Sequence, residues 1–530
     1  MSHATVDTAE APVALPRRRI RLTMLVLSLA VLFASMDLMV VNVAMYSIIK
    51  EFDPTHGVDD SRWILTVYTL ALGASQPVYG KLADLFGGKR VMLFSMLLFL
   101  SGSVACGLSA NMTQLIVFRG LQGLGAGGLL SVAVVVAAQI AEPRNRAKYA
   151  GYTGGLALIG FVAGPLVGGF FADTHHYWGL TVDWRWAFFL NVPTGLLVIG
   201  VLGLLLPNFV ARPGLKVDYL GALLMVGGIS ALLLVVEWGG DRYAWGSTPI
   251  LALAATGVLL LTGFVLQERR ASEPIIPPRL YRDQAFRIAV PLSVLAGFAM
   301  MGMSYYIALY LRLVRQLGSL ATCLHMLPML LGMLVGLLAT GIIIADGAGY
   351  KKFPIIGAAL AAIGCGLCVL LDSDTPTWEL SVFLLVFGFG IGQLTQVPLA
   401  TVQNSVPEKD LGTASTAVVF VRMLGQSLGP AIFGAVLSIV YATRLPSGLD
   451  VPKGERGQMP SSSAIAALPA DVQHALNDAF LGGLHGVFVA GAAALVLAFA
   501  IAFLYKEQPA KPAAAEAVVP EGRTEVGSVR

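Results

Sequence analysis

The chain has 530 residues, of which 56% are hydrophobic and only 12% are charged, and its mean hydropathy is +0.76. Soluble domains carry about 25% charged residues, so this composition excludes an ordinary soluble protein. The formal net charge of +4 is small and is spread over the loops, which gives no support for nucleic-acid binding. Apolar stretches of about 20 residues recur along the chain, and each is long enough to cross a bilayer as a helix. The sequence therefore predicts an integral membrane protein with many spans.

Charged clusters and Gly/Pro turns divide the chain into fourteen predicted spans. Loops rich in Lys and Arg alternate with acidic or weakly charged loops, and Arg312 and Arg315 are the exception. Because basic loops stay in the cytoplasm, this alternation predicts a multi-pass protein of the cytoplasmic (inner) membrane with both termini inside the cell. The predicted spans are residues 22–49, 62–82, 90–108, 113–140, 149–172, 187–206, 218–238, 249–267, 286–311, 321–345, 354–371, 379–402, 411–440 and 483–505.

One aspartate, Asp37, interrupts the first span within "FASMDLMVVNVAM" (33–45). A charge at the bilayer centre costs at least about 3 kcal/mol on insertion scales, so such a residue is a functional candidate. A carboxyl group of this kind can carry a proton in one conformation and release it in another. The alternative interpretation is a permanently paired aspartate that joins helices. Asn42 is expected to form a hydrogen bond, either along the same helix or into a cleft. A plain packing role for its side chain is the alternative.

Arg119 is the second charge predicted to lie inside a span. We expect it to pair with Asp37 or to tune the protonation of that carboxylate as the protein changes conformation. The alternative is a static arginine whose side chain extends to the membrane surface or bonds to backbone carbonyls.

Two short patterns occur twice and in the same order. "DLFGGKR" (84–90) is repeated as "DGAGYKK" (346–352), and "GFVAGP" (160–165) is repeated as "GQSLGP" (425–430). The offsets, 346 − 84 = 262 and 425 − 160 = 265, agree closely. This agreement predicts two homologous six-helix halves with two helices inserted between them. Parallel halves of this kind place a substrate site at their interface near the middle of the membrane, and rocking of one half against the other gives alternating access. We expect Asp37 to lie in the cleft between the halves and to bind a proton or a drug cation.

The repeat and the loops together predict five regions. The longest predicted outer loop covers 441–480, and "PADVQHALNDAFLGGLHGVF" (469–488) is expected to form a short amphipathic helix at the membrane surface. The regions are a cytoplasmic tail (1–21), an N-terminal six-helix bundle (22–206), two inserted helices with a linker (207–285), a C-terminal six-helix bundle (286–505) and a disordered cytoplasmic tail (506–530).

Several stretches resemble the sequence motifs of the major facilitator superfamily. "GKLADLFGGKR" (80–90) resembles motif A, and "LIVFRGLQGLGAGG" (115–128) resembles motif B. "GLALIGFVAGPLVGG" (155–169) resembles motif C, which is associated with antiporters. "MDLMVVNVAM" (36–45) resembles the first-span pattern of the fourteen-span drug:proton antiporters, and "WRWAFFLNVPTG" (184–195) is typical of the same family. The resemblance covers nearly the whole chain.

This resemblance implies an all-α integral membrane protein with the major facilitator fold: two six-helix bundles plus two extra central helices, fourteen transmembrane helices in all. It implies a proton-coupled antiporter that exports hydrophobic or cationic drugs, and it links Arg119 to proton coupling. Motif A departs from the family pattern, with Leu85 and Gly88 where basic residues are common, and the first-span motif has Met39 in place of threonine.

Motif A is expected to gate the cytoplasmic side, and simple loop charges are the alternative. Motif C is expected to limit proton leak by close helix packing, and a general packing face is the alternative. The gating candidates are Gly80, Asp84, Gly87 and Arg90; the motif C candidates are Gly160, Gly164, Pro165, Gly168 and Gly169.

Aromatic and amide side chains in later spans are consistent with an apolar, adaptable substrate cleft. They are equally consistent with positions facing lipid or the core. The candidates, with Asn42, are Tyr305, Tyr306, Gln393, Gln396 and Arg422. The predicted partners are small-molecule drugs, protons and the lipid bilayer, and the protein is expected to be a monomer.

No cofactor, metal site or catalytic residue is predicted. No G-x-x-x-x-G-K-[ST] motif occurs, so the proton gradient rather than ATP is the expected energy source. Three alternatives to a drug exporter stay open: a dedicated exporter of one metabolite (an antibiotic, siderophore or lipid), a nutrient symporter, and a membrane enzyme.

Overall fold

The computed structural model describes residues 16–52, 57–142, 145–172, 175–177, 180–207, 218–239, 243, 246–271, 274–346, 349–444 and 470–505. Its fifteen α-helices, within these described residues, are α1 (Arg17–Phe52), α2 (Gly57–Phe86), α3 (Gly88–Gly107), α4 (Met112–Ile140), α5 (Arg146–Ala172), α6 (Arg185–Phe189), α7 (Asn191–Leu205), α8 (Tyr219–Trp238), α9 (Thr248–Glu268), α10 (Gln284–Leu313), α11 (Ser319–Ala345), α12 (Lys352–Leu367), α13 (Thr377–Ser405), α14 (Leu411–Arg444) and α15 (Ala470–Ala502). Short 3-10 turns cover Pro278–Arg282, Cys368–Leu370 and Glu408–Asp410.

In the described part of the chain, twelve helical segments are long and apolar enough to cross a membrane. Together with α2 and α5, which have 30 and 27 residues, they make the predicted fourteen. The all-α membrane fold is confirmed. A two-stranded antiparallel hairpin, β1 (His175–Tyr177) with β2 (Leu180–Val182), was not predicted and precedes α6.

The helices pack into two groups, each with its own apolar core. Helices α1–α4 and α7 share a core that includes Leu27, Phe99 and Leu129. Helices α10–α13 and α15, with part of α14, share another that includes Leu292 and Phe488. We call the group formed by α1–α7 the N-terminal half and the group formed by α10–α15 the C-terminal half.

The repeated glycine patterns have the same structural role in both halves. In the N-terminal half, Gly160 and Gly164 of α5 lie against the backbone of α1. In the C-terminal half, Gly425 and Gly429 of α14 lie against the backbone of α10. In each half the fifth predicted span therefore packs closely on the first, because glycine lets the two backbones approach.

The two halves meet along two helix pairs, α2 with α14 and α5 with α11. The inserted helices α8 and α9 pack on each other, and α8 also lies against α2 and α14. Met225 of α8 and Phe264 of α9 share an apolar cluster with Ala74 and Phe420, which belong to opposite halves. The inserted pair therefore covers one seam between the halves.

The last helix differs from its prediction. Residues 470–488 do not form a separate surface helix, because α15 runs without interruption from Ala470 to Ala502. Leu476, Phe480 and Leu484 recur at every fourth position and are fully or almost fully buried in the core of the C-terminal half. This apolar stripe packs inward as in a core helix. The predicted loop 441–480 is correspondingly shorter, since α14 extends to Arg444; residues 445–469 lie outside the described residues.

Candidate functional site

A buried ion pair joins α1 to α4 inside the N-terminal half. Arg119 Nη1 donates a hydrogen bond of 2.8 Å to Oδ2 of Asp37. Asp37 is 3% exposed and Arg119 is 0% exposed. Asp37 and Arg119, both predicted to lie inside spans, therefore neutralise each other away from water, where an unpaired charge is strongly unfavourable.

Three more polar side chains complete the site. Oδ1 of Asp37 accepts hydrogen bonds from Gln122 Nε2 at 3.0 Å and from Asn191 Nδ2 at 2.7 Å. The same two amides also donate to Ser103 Oγ, at 2.7 and 2.9 Å. The network thus ties together α1, α3, α4 and α7. We call these five residues the Asp37 network.

The Asp37 carboxylate is held by several charge-assisted hydrogen bonds. Hydrogen bonds of this kind are shorter and stronger than those between neutral groups. The Arg119 guanidinium carbon also lies 3.9 Å from the ring centroid of Tyr68, a cation–π contact. The Nε and Nη2 atoms of Arg119 are buried and have no hydrogen-bond partner among the residues that the structure describes. Buried donors normally find partners, so these two atoms are an exception.

The position of Asp37 differs from the expectation of a cleft between the halves. Every hydrogen-bond partner described for Asp37 belongs to the N-terminal half. The carboxylate points into this half because the polar groups that bond to it lie on α4 and α7. The pair is therefore not exposed at the surface where the two halves face each other.

Motif A links the two halves through Asp84. Its carboxylate accepts hydrogen bonds from the backbone N–H of Gly412 at 2.8 Å and of Thr413 at 2.7 Å, and from the Thr413 hydroxyl at 2.8 Å. These donors form the first turn of α14, whose N–H groups have no partner within the helix. Asp84 of the N-terminal half therefore caps the N-terminus of α14 in the C-terminal half.

The other motif A residues have separate roles. A side chain at Gly80 would overlap Thr416 of α14, so this glycine permits close contact between the halves. Gly87 joins α2 to α3 with φ of 86°, a left-handed conformation that favours glycine. Arg90 is exposed and has no ion-pair or hydrogen-bond partner among the described residues.

Further contacts close the same end of the molecule. Arg146 Nη1 at the start of α5 donates to the Gln403 carbonyl of α13 at 2.5 Å, and Gln396 Nε2 donates to the Ala147 carbonyl. With Asp84, these are the hydrogen bonds between the halves that the described residues show. All lie toward the end of the molecule that carries the basic loops, which we call the predicted cytoplasmic face.

Motif C lies on the side of α5 that faces α1. Gly160 contacts Leu32 and Ser35, and Gly164 contacts Met39. Gly168 is buried, whereas a side chain at Gly169 would meet nothing within 4 Å. The side chain of Pro165, like that of Asn42, lies outside the described residues.

The structure separates the predicted cleft residues. Tyr305 is 54% exposed on the outside of α10, whereas Tyr306 is buried and its hydroxyl donates to the Pro430 carbonyl at 3.0 Å. Gln393 is buried near Gly357 of α12. Among the described cleft candidates, Gln396 is the one whose side chain hydrogen-bonds to the opposite half. Arg422 is partly exposed within α14.

Sequence reasoning missed three members of the Asp37 network: Gln122, Ser103 and Asn191. Gln122 stands within motif B and Asn191 within "WRWAFFLNVPTG". A buried amide inside an apolar span needs hydrogen-bond partners, and that need was the available signal. No group of three or more His, Cys, Asp or Glu side chains able to hold a metal occurs among the described residues.

The fold and this site define a multi-pass membrane transporter. Residues 27–430 match the family model of the Major Facilitator Superfamily, and the chain belongs to that family. An uncharacterized MFS-type transporter of Mycobacterium tuberculosis is 37% identical over 506 residues, which make up 95% of this chain and 72% of the relative. Multidrug resistance protein 3 of Bacillus subtilis is 31% identical and aligns over 81% of this chain and 82% of its own length. Efflux pump dotC of Dothistroma septosporum is 30% identical over 92% of this chain and 84% of the pump.

Solved structures show the same fold. The proton:xylose symporter XylE superposes with a TM-score of 0.61 at 16% identity, covering 93% of this chain and 97% of that one. The human organic anion transporter MFSD10 also superposes with a TM-score of 0.61, at 15% identity, and the match covers 92% of this chain and 100% of the transporter. At these identities the similarity concerns the fold alone.

Proposed function

We propose that this protein exports hydrophobic drug-like compounds across the cytoplasmic membrane in exchange for protons, by alternating access. Membership of a transporter family and similarity to a multidrug resistance protein and an efflux pump support the export of such compounds. The observation that carries the coupling to protons is the fully buried Asp37–Arg119 pair. We also propose that both termini lie in the cytoplasm, as the basic loops predict.

Protonation of Asp37 is the proposed coupling step. The ionised carboxylate holds α1 against α4 and α7 through its bonds to Arg119, Gln122 and Asn191. A neutral carboxyl group no longer balances the charge of Arg119 and accepts the same bonds more weakly. Proton uptake therefore releases α1 from these helices, and proton loss draws it back. The closed surroundings of Asp37 favour a proton over a drug cation as its occupant.

Motif C supplies a route from Asp37 to the other half. Because α1 packs on α5 at Gly160 and Gly164, a shift of α1 displaces α5. Helix α5 in turn contacts Leu337 of α11 through Gly151 and Gly154. Movement at the proton site is thereby transmitted to the boundary along which the halves rock.

The experiment measures proton movement driven by substrate in vesicles that contain the purified protein and an internal pH dye. Wild-type protein should move protons when a hydrophobic dye substrate is added, and Asp37→Asn should abolish this response. Asp374→Asn makes the same change at an exposed position and should behave as wild type. Proton movement that survives Asp37→Asn would overturn the proposal.

A second variant separates coupling from folding. Asp37→Asn leaves Arg119 without its counter-charge, whereas Asp37→Asn combined with Arg119→Gln removes both charges. The double variant should regain stability because no unpaired charge is left, and it should not regain proton movement because the carboxyl group that takes up the proton is gone. A panel of unrelated substrates then distinguishes a drug exporter from a dedicated exporter of one metabolite.

A further inference from the structure

Arg422 is an isolated charge in the middle of the C-terminal half. Among the Arg, Lys, Asp and Glu residues of α10–α15, two lie more than five residues from a helix end: Arg422 and the exposed Asp478. Its guanidinium has no hydrogen bond and no ion pair with any residue that the structure describes. A charged side chain inside a membrane span is unfavourable unless it has a partner or faces a watery cavity, so it requires a function.

The packing of α14 shows which way Arg422 faces. Its carbonyl oxygen lies against Gly297 of α10, and the neighbouring Met423 lies against Gly73 of α2. Helix α10 belongs to the C-terminal half and α2 to the N-terminal half. Arg422 therefore stands on the part of α14 between its contacts with the two halves.

The outer face of α14 lies on a different side of the helix from Arg422. Leu428, Ile432 and Ile439 are 36%, 47% and 66% exposed and mark the face directed away from the protein. Successive residues of an α-helix are rotated by about 100° about the helix axis, so Arg422 lies roughly 100° around α14 from Ile439. Gly425 and Gly429, which contact α10, lie between these two positions. Gln426, one turn later on the same side, is also partly exposed. Partial exposure on this inner side places Arg422 near the boundary between the halves and away from the outer face of α14.

Among the residues that the structure describes, no acidic side chain is paired with this arginine. In the N-terminal half, Asp37 is the acidic residue that lies deep within a span, and both of its oxygens are engaged by Arg119, Gln122 and Asn191. The counter-charge of Arg422 must therefore come from outside the described protein. A guanidinium binds a carboxylate through two parallel hydrogen bonds, and it does so most strongly where water is scarce.

We propose that Arg422 is a specificity-determining residue that binds an anionic group, a carboxylate, on the exported compound. This inference rests on the export function proposed above and names its substrate class: amphipathic compounds that combine an apolar body with an acidic group. It differs from the preference for cationic drugs expected from sequence. Gln426 is placed to donate a further hydrogen bond to the same group.

The test uses two dyes that differ in one group, a rhodamine with a free carboxylate and the methyl ester of the same rhodamine. Uptake of each dye is measured in vesicles with an imposed pH gradient, and binding of each to the detergent-solubilised protein is measured by fluorescence polarisation. Wild type should prefer the carboxylate dye in both assays. Arg422→Gln should lower binding and uptake of that dye by about tenfold or more and leave the ester unchanged, because only the charge-assisted bond is lost.

Two controls accompany this variant. Arg422→Lys keeps the positive charge but not the two parallel donors, so it should retain only part of the preference. Arg287→Gln removes an exposed arginine and should change nothing. An equal loss of both dyes in Arg422→Gln would mean a role in folding or gating and would overturn the inference, as would a wild type that binds both dyes alike.

The two proposals fail in different ways. If both dyes are exported with protons and without preference, the export function stands and the role of Arg422 falls. If selective binding depends on Arg422 while no dye moves protons, the binding site stands and the antiport function falls.

Discussion

At the scale of the residue, the buried pair of Asp37 and Arg119 dominates the energetics of the site. Both charges are removed from water, and each is tolerated only because the other is present. Removing one partner of a buried pair costs about 3–5 kcal/mol, whereas replacing both with neutral groups is often close to neutral. The stability of single and double variants therefore reports directly on the pair.

We expect Asp37→Asn and Arg119→Gln each to lower the free energy of unfolding by about 3 kcal/mol. The double variant should lose clearly less than the sum of the two, because it leaves no unpaired charge. Thermal unfolding of the detergent-solubilised protein measures this, with Asp374→Asn as the control. Additive losses would contradict an interaction between the two side chains.

At the scale of the element, the contact between α1 and α5 depends on small residues. Gly160 and Gly164 bring the two backbones together, and a side chain at Gly164 would overlap Met39. Close packing of this kind leaves no space for added atoms, so even one extra branched side chain forces the helices apart. Gly169, five residues after Gly164 on α5, faces open space.

We expect Gly164→Val to destabilise the protein by about 1–3 kcal/mol through overpacking, and to increase proton leak through vesicles. Gly169→Ala, in the same motif, should leave both properties unchanged because nothing lies near the added methyl group. Thermal unfolding and passive dissipation of a pH gradient are the measurements. Equal effects of the two substitutions would show that motif C acts through general helix propensity and not through packing on α1.

At the scale of the whole molecule, hydrogen bonds join the two halves at the predicted cytoplasmic face. Asp84 accepts three hydrogen bonds from the first turn of α14, and Arg146 bonds to the Gln403 carbonyl. These bonds must break when the halves rock in the opposite direction. The balance between the two arrangements therefore depends on groups far from the Asp37 network.

We expect Asp84→Ala to shift this balance away from the closed arrangement by about 2 kcal/mol, roughly thirty-fold, because hydrogen bonds to a charged group are lost and two backbone N–H groups stay unpaired. Spin labels at the exposed positions Phe86 and Lys409 should then show a longer distance in a larger fraction of molecules. Arg90→Gln is the control within motif A, since Arg90 has no partner among the described residues. An unchanged distance distribution would contradict a gating role for Asp84.

Much of the helical framework was predictable because membrane spans are defined locally. The lack of hydrogen-bonding solvent in lipid forces each apolar stretch into a helix, and the boundaries follow from its charged ends. Asp37 and Arg119 were recognisable as a site for the same reason, since each interrupts an apolar stretch. The failure at residues 470–488 is also local: polar residues between buried apolar positions resemble a surface helix until the partner helices are known.

The sequence by itself therefore determined a helical membrane transporter of this family, its repeat and its two unusual charges, because composition, spacing and motifs depend only on the order of residues. Only the tertiary structure decided that Asp37 faces Arg119, Gln122 and Asn191, that Tyr305 points outward while Tyr306 is buried, and that Asp84 meets α14. Those facts depend on how each helix is rotated about its axis and which helix stands beside it. Packing between residues distant in sequence sets both.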